Sequence, residues 1–254
     1  WKANRKYPCT NSRMPSQTGS PRNRIAEVSR RTGFFYHIIK RMSHLSFLKL
    51  WPLLFIVLLV VTGCRSSRSL RGERFVLVVD AGHGGNDQGA AGRRSLEKEV
   101  NLEVARRVCK LIRKQCRDVE IIQTRPDDEF VSLNDRAGMA NFYRADLFIS
   151  IHSNSARGWA EGTETFIHPS ARGGRSERMA RLIEQEYVKT GRESRGVKTA
   201  NFAVLRNTRM PAVLTEIGFI SNRSEERFMN SRKGQKRLAR SISNAFIRYR
   251  RSVP

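Results

Sequence analysis

Apolar and polar positions follow two rhythms along the chain. Phe75-Val-Leu-Val-Val79 is a wholly apolar run that stops at Asp80-Ala-Gly82, the pattern of a buried strand feeding a loop. Val100, Leu102, Val104, Ala105, Val108, Leu111 and Ile112 recur at helical spacing, which predicts an amphipathic helix over 97–115. Val119–Gln123 reads as a second strand, Leu133–Tyr143 as a helix and Leu147–Ile151 as a third buried strand. Gly162–Ile167 alternates as a strand does, and Ser176–Lys189 places Met179, Leu182 and Ile183 on one helical face. Phe202–Leu205 and Ala212–Glu216 read as two more short strands, Ser224–Met229 and Gln235–Arg250 as closing helices. Strands alternating with helices predict one α/β domain over 73–254, with a twisted, mostly parallel central sheet flanked by helices on both faces.

The front of the chain obeys other rules. Residues 1–41 show no sustained apolar periodicity and carry ten basic side chains against one acidic one, Glu27. Leu50–Val61 is an unbroken run of twelve apolar residues with Pro52 inside. A spanning helix needs about 20; twelve suits the apolar core of a secretory signal. The run leads into Val61-Thr-Gly-Cys64, which resembles a bacterial lipobox, where small residues precede a cysteine that becomes lipidated. The expected division is a basic leader over 1–41 upstream of a start at Met42, a lipoprotein-type signal peptide over 42–63, a polar tether over 64–72, and the folded domain beyond. It predicts an exported protein of the cell envelope, held to a membrane by a lipid on Cys64. In a Gram-negative cell the destination is the outer membrane or periplasm.

Charge sharpens the choice of partner. The formal charge is +25, and the leader supplies only +9 of it, so the rest of the chain is also strongly basic. Such a field favours an anionic partner and says nothing about fold. Nucleic acid is excluded as the expected partner: no recognition motif is present, the leader lacks interleaved aromatics, and export removes it. Four cysteines are too few for a disulfide scaffold. Cys109 and Cys116 lie about 10 Å apart along one helix, beyond a disulfide's reach of roughly 7 Å, and read as buried thiols.

Reactive groups gather where strands end, the place where open α/β sheets bind ligands. The first strand ends in Asp80-Ala-Gly-His83-Gly-Gly85, the third in Ile151-His152-Ser-Asn154, and a later one in Thr215-Glu216-Ile-Gly218. Glu97 opens the first helix. Each feature alone has a plain structural reading: a hydrogen-bonded histidine, a glycine turn, a favourable first-turn charge. Glu216 resists one, because a carboxylate following a buried strand needs a partner. Two imidazoles, a carboxylate ligand and a spare carboxylate are together the parts of a hydrolytic zinc site.

The chain resembles the zinc-dependent N-acetylmuramoyl-L-alanine amidases of bacterial cell walls, amidase type 3, from about Phe75 to Tyr249. The resemblance rests on Val79-Asp-Ala-Gly-His-Gly-Gly85, Glu97-Lys-Glu-Val-Asn-Leu102, Thr124-Arg125, Ala145-Asp-Leu-Phe-Ile-Ser-Ile-His-Ser-Asn154, Gly162-Thr-Glu-Thr165, Arg195-Gly-Val-Lys198, Asn201-Phe-Ala-Val-Leu205 and Met210-Pro-Ala-Val-Leu-Thr-Glu-Ile-Gly-Phe-Ile-Ser-Asn222. It implies His83, Glu97 and His152 as ligands of one zinc ion per chain and Glu216 as the catalytic carboxylate, with Glu99 the alternative to Glu97. Ala81 stands where the family often has Pro, and Ser153 where Ala is usual. The implied reaction is cleavage of the amide between N-acetylmuramic acid and the L-alanine of the stem peptide, in wall remodelling or daughter-cell separation. The competing readings are a catalytically dead peptidoglycan-binding protein of the same fold and a zinc carboxypeptidase.

Other residues carry open readings. Arg125 either orients a stem-peptide carboxylate or caps the sheet edge. Asn101 and Asn154 either support the site or hold loops, and His168 reads as a loop residue. Some relatives carry a long insertion whose helix blocks the site until a partner removes it. Here the matching connection, His168–Arg175, is eight residues with a proline and a glycine pair, so no obligatory activator is expected.

Overall fold

A computed structural model describes residues 74–157 and 159–253. The basic leader, the signal-type segment, Cys64 and the tether lie outside the described residues. Among the described residues no helix is long and apolar enough to cross a membrane.

Six strands form one sheet: β1 (Phe75–Ala81), β2 (Val119–Gln123), β3 (Leu147–Asn154), β4 (Thr163–Ile167), β5 (Ser194–Thr199) and β6 (Ala212–Phe219), in the order β2-β1-β3-β6-β4-β5. β2, β1, β3 and β6 run parallel, β4 runs antiparallel to β6, and β5 runs parallel to β4. The helices are α1 (Glu97–Gln115), α2 (Leu133–Phe142), α3 (Arg175–Lys189), α4 (Ala203–Arg206), α5 (Arg223–Asn230) and α6 (Arg232–Arg250). Odd-numbered side chains of β1 and β3 meet α1, α3 and α6 in the larger core, which holds Leu77, Val79, Ile149, Val108, Met179 and Phe246. The opposite face, with Val78, Phe148 and Leu214, packs against Ala140 of α2 and Val204 and Leu205 of α4. The expected mostly parallel sheet with helices on both faces is the observed one. Burial on both faces explains the unbroken apolar runs of β1 and β3.

Two expectations need correction. Phe202–Leu205 is not a strand: Ala203–Arg206 is one helical turn, with Leu205 and Arg206 N–H both donating to Phe202 C=O. Four apolar residues carry no period of their own, and here Val204 and Leu205 bury side by side while Phe202 faces out. β5, Ser194–Thr199, is a strand with no counterpart among the predicted elements. It is one of the sheet's two edge strands, with Arg195, Gly196 and Lys198 inside it and no fully buried residue, so no alternation marks it. Cys109 and Cys116 are free thiols, the first buried.

Candidate active site

β1 and β3 are paired in register from Leu77–Leu147 to Ala81–Ile151, so both deliver their loops to the same edge. His83 leaves β1 two residues beyond its end, with φ +62°, a left-handed conformation uncommon outside glycine. His152 lies within β3, opposite Glu216 of β6. Between β1 and β3 a side chain at position 82 has no room: a Cβ there would lie 2.2 Å from His152 Cε1. Gly82 is therefore what lets the His152 ring sit against the β1 loop.

Glu97 joins the two imidazoles. It is the first residue of α1, where a carboxylate also favours the helix dipole. Its Oε2 lies 3.2 Å from His83 Nε2, and its Oε1 lies 3.0 Å from His152 Nδ1. The Ala90 and Ser153 N–H groups donate to its two oxygens at 2.9 and 3.1 Å. Burial pushes this carboxyl upward, but the hydrogen bonds of the two histidines and the charge of His152 outweigh it and hold the group well below the usual range. Burial pulls both imidazoles down, and Glu97 leads the groups that turn the net shift upward. One donor atom each from His83, Glu97 and His152 lie within 4.8 Å of one another. That His₂Glu chemistry, with backbone tailored to admit the ring, fits a zinc ion. Glu99 is turned elsewhere: it is exposed and its Oε2 accepts from Leu96 N–H at 3.0 Å, closing the start of the helix.

Glu216 faces the same edge. Its Oε2 is shielded from solvent and has no hydrogen-bond partner among the described residues. Burial pushes its carboxyl up to about 7, with the His152 charge opposing and the Glu97 and Glu164 carboxylates adding. A carboxyl poised there suits proton transfer near neutral pH. Across the β4–β6 pairing, Glu164 lies opposite Glu216. Lys198 Nζ, Arg195 Nε and Asn154 Nδ2 all donate to Glu164, the last two at 2.9 and 2.8 Å.

The open residues now have positions. Asn101 donates to Glu97 Oε1 at 3.3 Å and accepts from Ser153 Oγ at 2.8 Å, so the serine that departs from the family pattern is tied into the site's support. Asn154 serves Glu164 rather than the histidine cluster. Arg125 is buried and donates to the carbonyls of Ala81, Gly82 and Lys98 at 2.8–2.9 Å, so it clamps the β1 loop. His168 caps the 3₁₀ turn Pro169–Ala171.

Sequence reasoning missed three supports. Asp87 Oδ1 lies 2.9 Å from His83 Nδ1. Asp80, fully buried, accepts from Arg136 Nη1 at 2.7 Å and from the hydroxyls of Thr124 and Ser150 at 2.6 Å each. Lys98 Nζ donates to Gly85 C=O at 2.9 Å and to Asp128 at 2.7 Å. Asp80 carried the same signal as Glu216, a carboxylate at the end of an apolar strand, but nothing local announced Arg136.

Two histidines and two carboxylates gather at the carboxyl edge of the parallel strands of a mostly parallel α/β sheet, an arrangement suited to a hydrolase. Residues 77–248 match the family described as N-acetylmuramoyl-L-alanine amidase (Amidase_3). The uncharacterized protein YqiI of Bacillus subtilis is 37% identical over 178 residues, covering 70% of this chain and 85% of that one. A sporulation-specific N-acetylmuramoyl-L-alanine amidase of the same organism is 38% identical over 169 residues, 66% of this chain and 65% of that protein. The catalytic domain of CwlV, an N-acetylmuramoyl-L-alanine amidase from Bacillus (Paenibacillus) polymyxa var. colistinus, superposes with a TM-score of 0.66 at 38% identity, covering 70% of this chain and 98% of that structure. The chain belongs to the N-acetylmuramoyl-L-alanine amidase family, and family and relatives together support a cell-wall amidase function.

Proposed function

We propose that this chain is a zinc-dependent hydrolase of the amide between N-acetylmuramic acid and the first L-alanine of the peptidoglycan stem, acting in wall remodelling or daughter-cell separation. One observation carries the reading: His83, Glu97 and His152 offer three donor atoms within 4.8 Å, beside the shielded Glu216 carboxyl. His83, Glu97 and His152 would hold one zinc ion. When bound, zinc supplies Lewis-acid chemistry, polarising the scissile carbonyl and acidifying the attacking water. Asp87 holds His83 through Nδ1, which leaves the Nε2 lone pair for a ligand role. Glu97, held below the usual carboxylate range, stays anionic at neutral pH.

Glu216 takes the proton that water loses as its oxygen bonds to the carbonyl carbon. It then returns that proton to the departing nitrogen as the C–N bond breaks. The products are the lactyl carboxylate of the sugar and a stem peptide with a free L-alanine amine. The β4–α3 connection, from His168 to Gly174, holds only a 3₁₀ turn, which supports activity without an obligatory activator. Cys64 and the apolar run before it support export and lipid anchoring in the envelope, at the outer membrane or periplasm in a Gram-negative cell.

The test is digestion of purified peptidoglycan by the purified chain alone, with mass analysis. Stem peptides newly beginning in L-alanine are expected, lost on chelation and restored by about one zinc per chain. Release of terminal D-alanine, or activity indifferent to chelation, would refute the reading. Labelled palmitate should enter the wild-type chain in cells and not Cys64→Ala; equal labelling of both would remove the anchor.

A further inference from the structure

The α1–α6 face carries a feature that amide hydrolysis does not use. α1 contributes Arg107, Lys110 and Lys114, and α6 contributes Arg232, Lys236 and Arg240, to one groove of about 490 Å³. Leu111 is its only apolar lining residue, and no carboxylate lines it. Small-molecule pockets share this size, roughly 300–1,000 Å³, but are lined mainly by hydrophobic and aromatic residues. A groove of six cations around one leucine suits an extended anion instead.

Charge placement on α6 points the same way. Its first turn holds cations and no acidic residue, although the partial positive charge of a helix N-terminus disfavours them there. Arg107 is restrained by Gln235 Oε1 at 3.1 Å and lies 3.7 Å from Glu103. Lys110, Lys114, Arg232, Lys236 and Arg240 are exposed. Repulsion among them is an unfavourable term that a bound polyanion removes.

The groove is also clear of the candidate active site. Glu97 opens α1, and Arg107 follows it by ten residues, about 15 Å along the helix axis at 1.5 Å per residue. A chain lying in the groove leaves the histidine edge open. Shape separates two anionic partners. A membrane is flat and takes inserted apolar side chains at its surface. This site is concave, and the exposed large hydrophobic residues Phe130, Phe142, Trp159 and Val188 lie outside its lining.

We propose that the α1–α6 groove is a binding site for a linear, phosphodiester-linked anionic polymer, which holds the domain on its substrate matrix by a contact separate from catalysis. The test compares the full chain in detergent micelles with two variants of equal charge. One is Lys110→Gln/Lys114→Gln/Lys236→Gln/Arg240→Gln. The other removes four exposed arginines elsewhere, Arg117→Gln/Arg209→Gln/Arg223→Gln/Arg227→Gln. The probes are linear poly(glycerol phosphate) and, separately, vesicles of phosphatidylglycerol and phosphatidylethanolamine in equal parts.

The wild-type chain should bind the polymer with an affinity that falls as salt rises. The groove variant should lose at least about tenfold, with a shallower salt dependence, while the control variant changes less than about threefold. Hydrolysis of a short soluble muramyl peptide should match wild type in both. Equal losses in the two variants would reduce the effect to diffuse charge and overturn the proposal. A groove variant that loses vesicle binding but keeps polymer binding would make the face a membrane contact and overturn it too. Because binding is the readout, failure here is distinguishable from failure of the amidase reading.

Discussion

Replacing Arg136 with alanine removes four hydrogen bonds from a place that water barely reaches. Its guanidinium donates to Val131 C=O at 2.9 Å, Asp80 Oδ1 at 2.7 Å, Ala81 C=O at 2.7 Å and His83 C=O at 2.8 Å. The side chains of Arg136 and Asp80 are 2% and 0% exposed, so the truncation leaves an anion in the interior with only two hydroxyl donors. Removing one partner of a buried ion pair costs about 3–5 kcal/mol, against total stabilities of about 5–15 kcal/mol. At about 2–4 °C per kcal/mol for a domain of this size, the melting temperature should fall by about 6–20 °C. Thermal unfolding followed by circular dichroism at pH 7 measures it. The companion double variant, Arg136→Ala/Asp80→Asn, replaces the stranded charge with a neutral amide and should recover part of the loss, the signature of coupled groups. A fall below about 2 °C, or a double variant no more stable than the single one, would refute a buried, charged Asp80.

Three further outcomes test neighbouring parts. Glu216→Gln should keep zinc and lose about 10²–10⁴-fold in turnover, the usual contribution of a general base; turnover within a few-fold of wild type would move that role elsewhere. Gly82→Ala should push the His152 ring out of place, since the new Cβ would lie 2.2 Å from Cε1; zinc titration should show weaker binding, and wild-type affinity would contradict the packing. Acid should destabilise the domain through Asp80. Burial raises its pKa, but Arg136 and the Ser150 and Thr124 hydroxyls bring the net value below the ordinary 3.8. A depressed folded value means the contribution is present above about pH 4 and lost as pH falls through the folded pKa. Arg136→Ala removes the main lowering charge and should shift that loss to higher pH; identical acid profiles for both proteins would count against the pairing.

The legible parts of the fold were those where burial writes a period. β1, β3 and α1 could be read to within a few residues because one face, or both, is packed and the apolar positions repeat accordingly. β5 is hard to read because Arg195, Gly196 and Lys198 break up its half-buried residues, whereas β2, the other edge strand, is marked by Val119, Ile121 and Ile122. α4 was misread because a single turn is shorter than the pattern that distinguishes helix from strand. At the site, Asp80, His83 and Glu97 sit next to or just beyond the ends of β1 and α1, and His152 and Glu216 lie in the carboxyl halves of β3 and β6, where topology gathers chemistry, so four of the five were legible in the sequence. Arg136 was not. Its value depends on lying beside Asp80, 56 positions away in sequence, and no local pattern encodes that separation.

That dependence bears on how the glycine-rich loop works. His83 adopts a left-handed backbone, a conformation that costs of order 1–3 kcal/mol when the residue is not glycine. Within the loop, Gly84 and Asp87 exchange backbone hydrogen bonds at 2.8 and 3.1 Å, and Asp87 Oδ1 holds His83 Nδ1 at 2.9 Å. What fixes the carbonyls around it comes from elsewhere: Arg125 on Ala81 and Gly82, Arg136 on Ala81 and His83, Lys98 on Gly85. Hydrogen bonds to charged donors contribute about 1.5–3 kcal/mol each, so two or three of them offset the strain. Three cations around one loop would repel one another if no anion stood among them. Asp80 beneath Arg136 and Asp128 beside Lys98 supply it. The aspartate at the end of β1 therefore acts at one remove: it holds the cation that holds the carbonyl of His83. A metal-ready histidine in this fold is a property of the packed β1–α1–α2 corner rather than of the short motif that first drew attention to it.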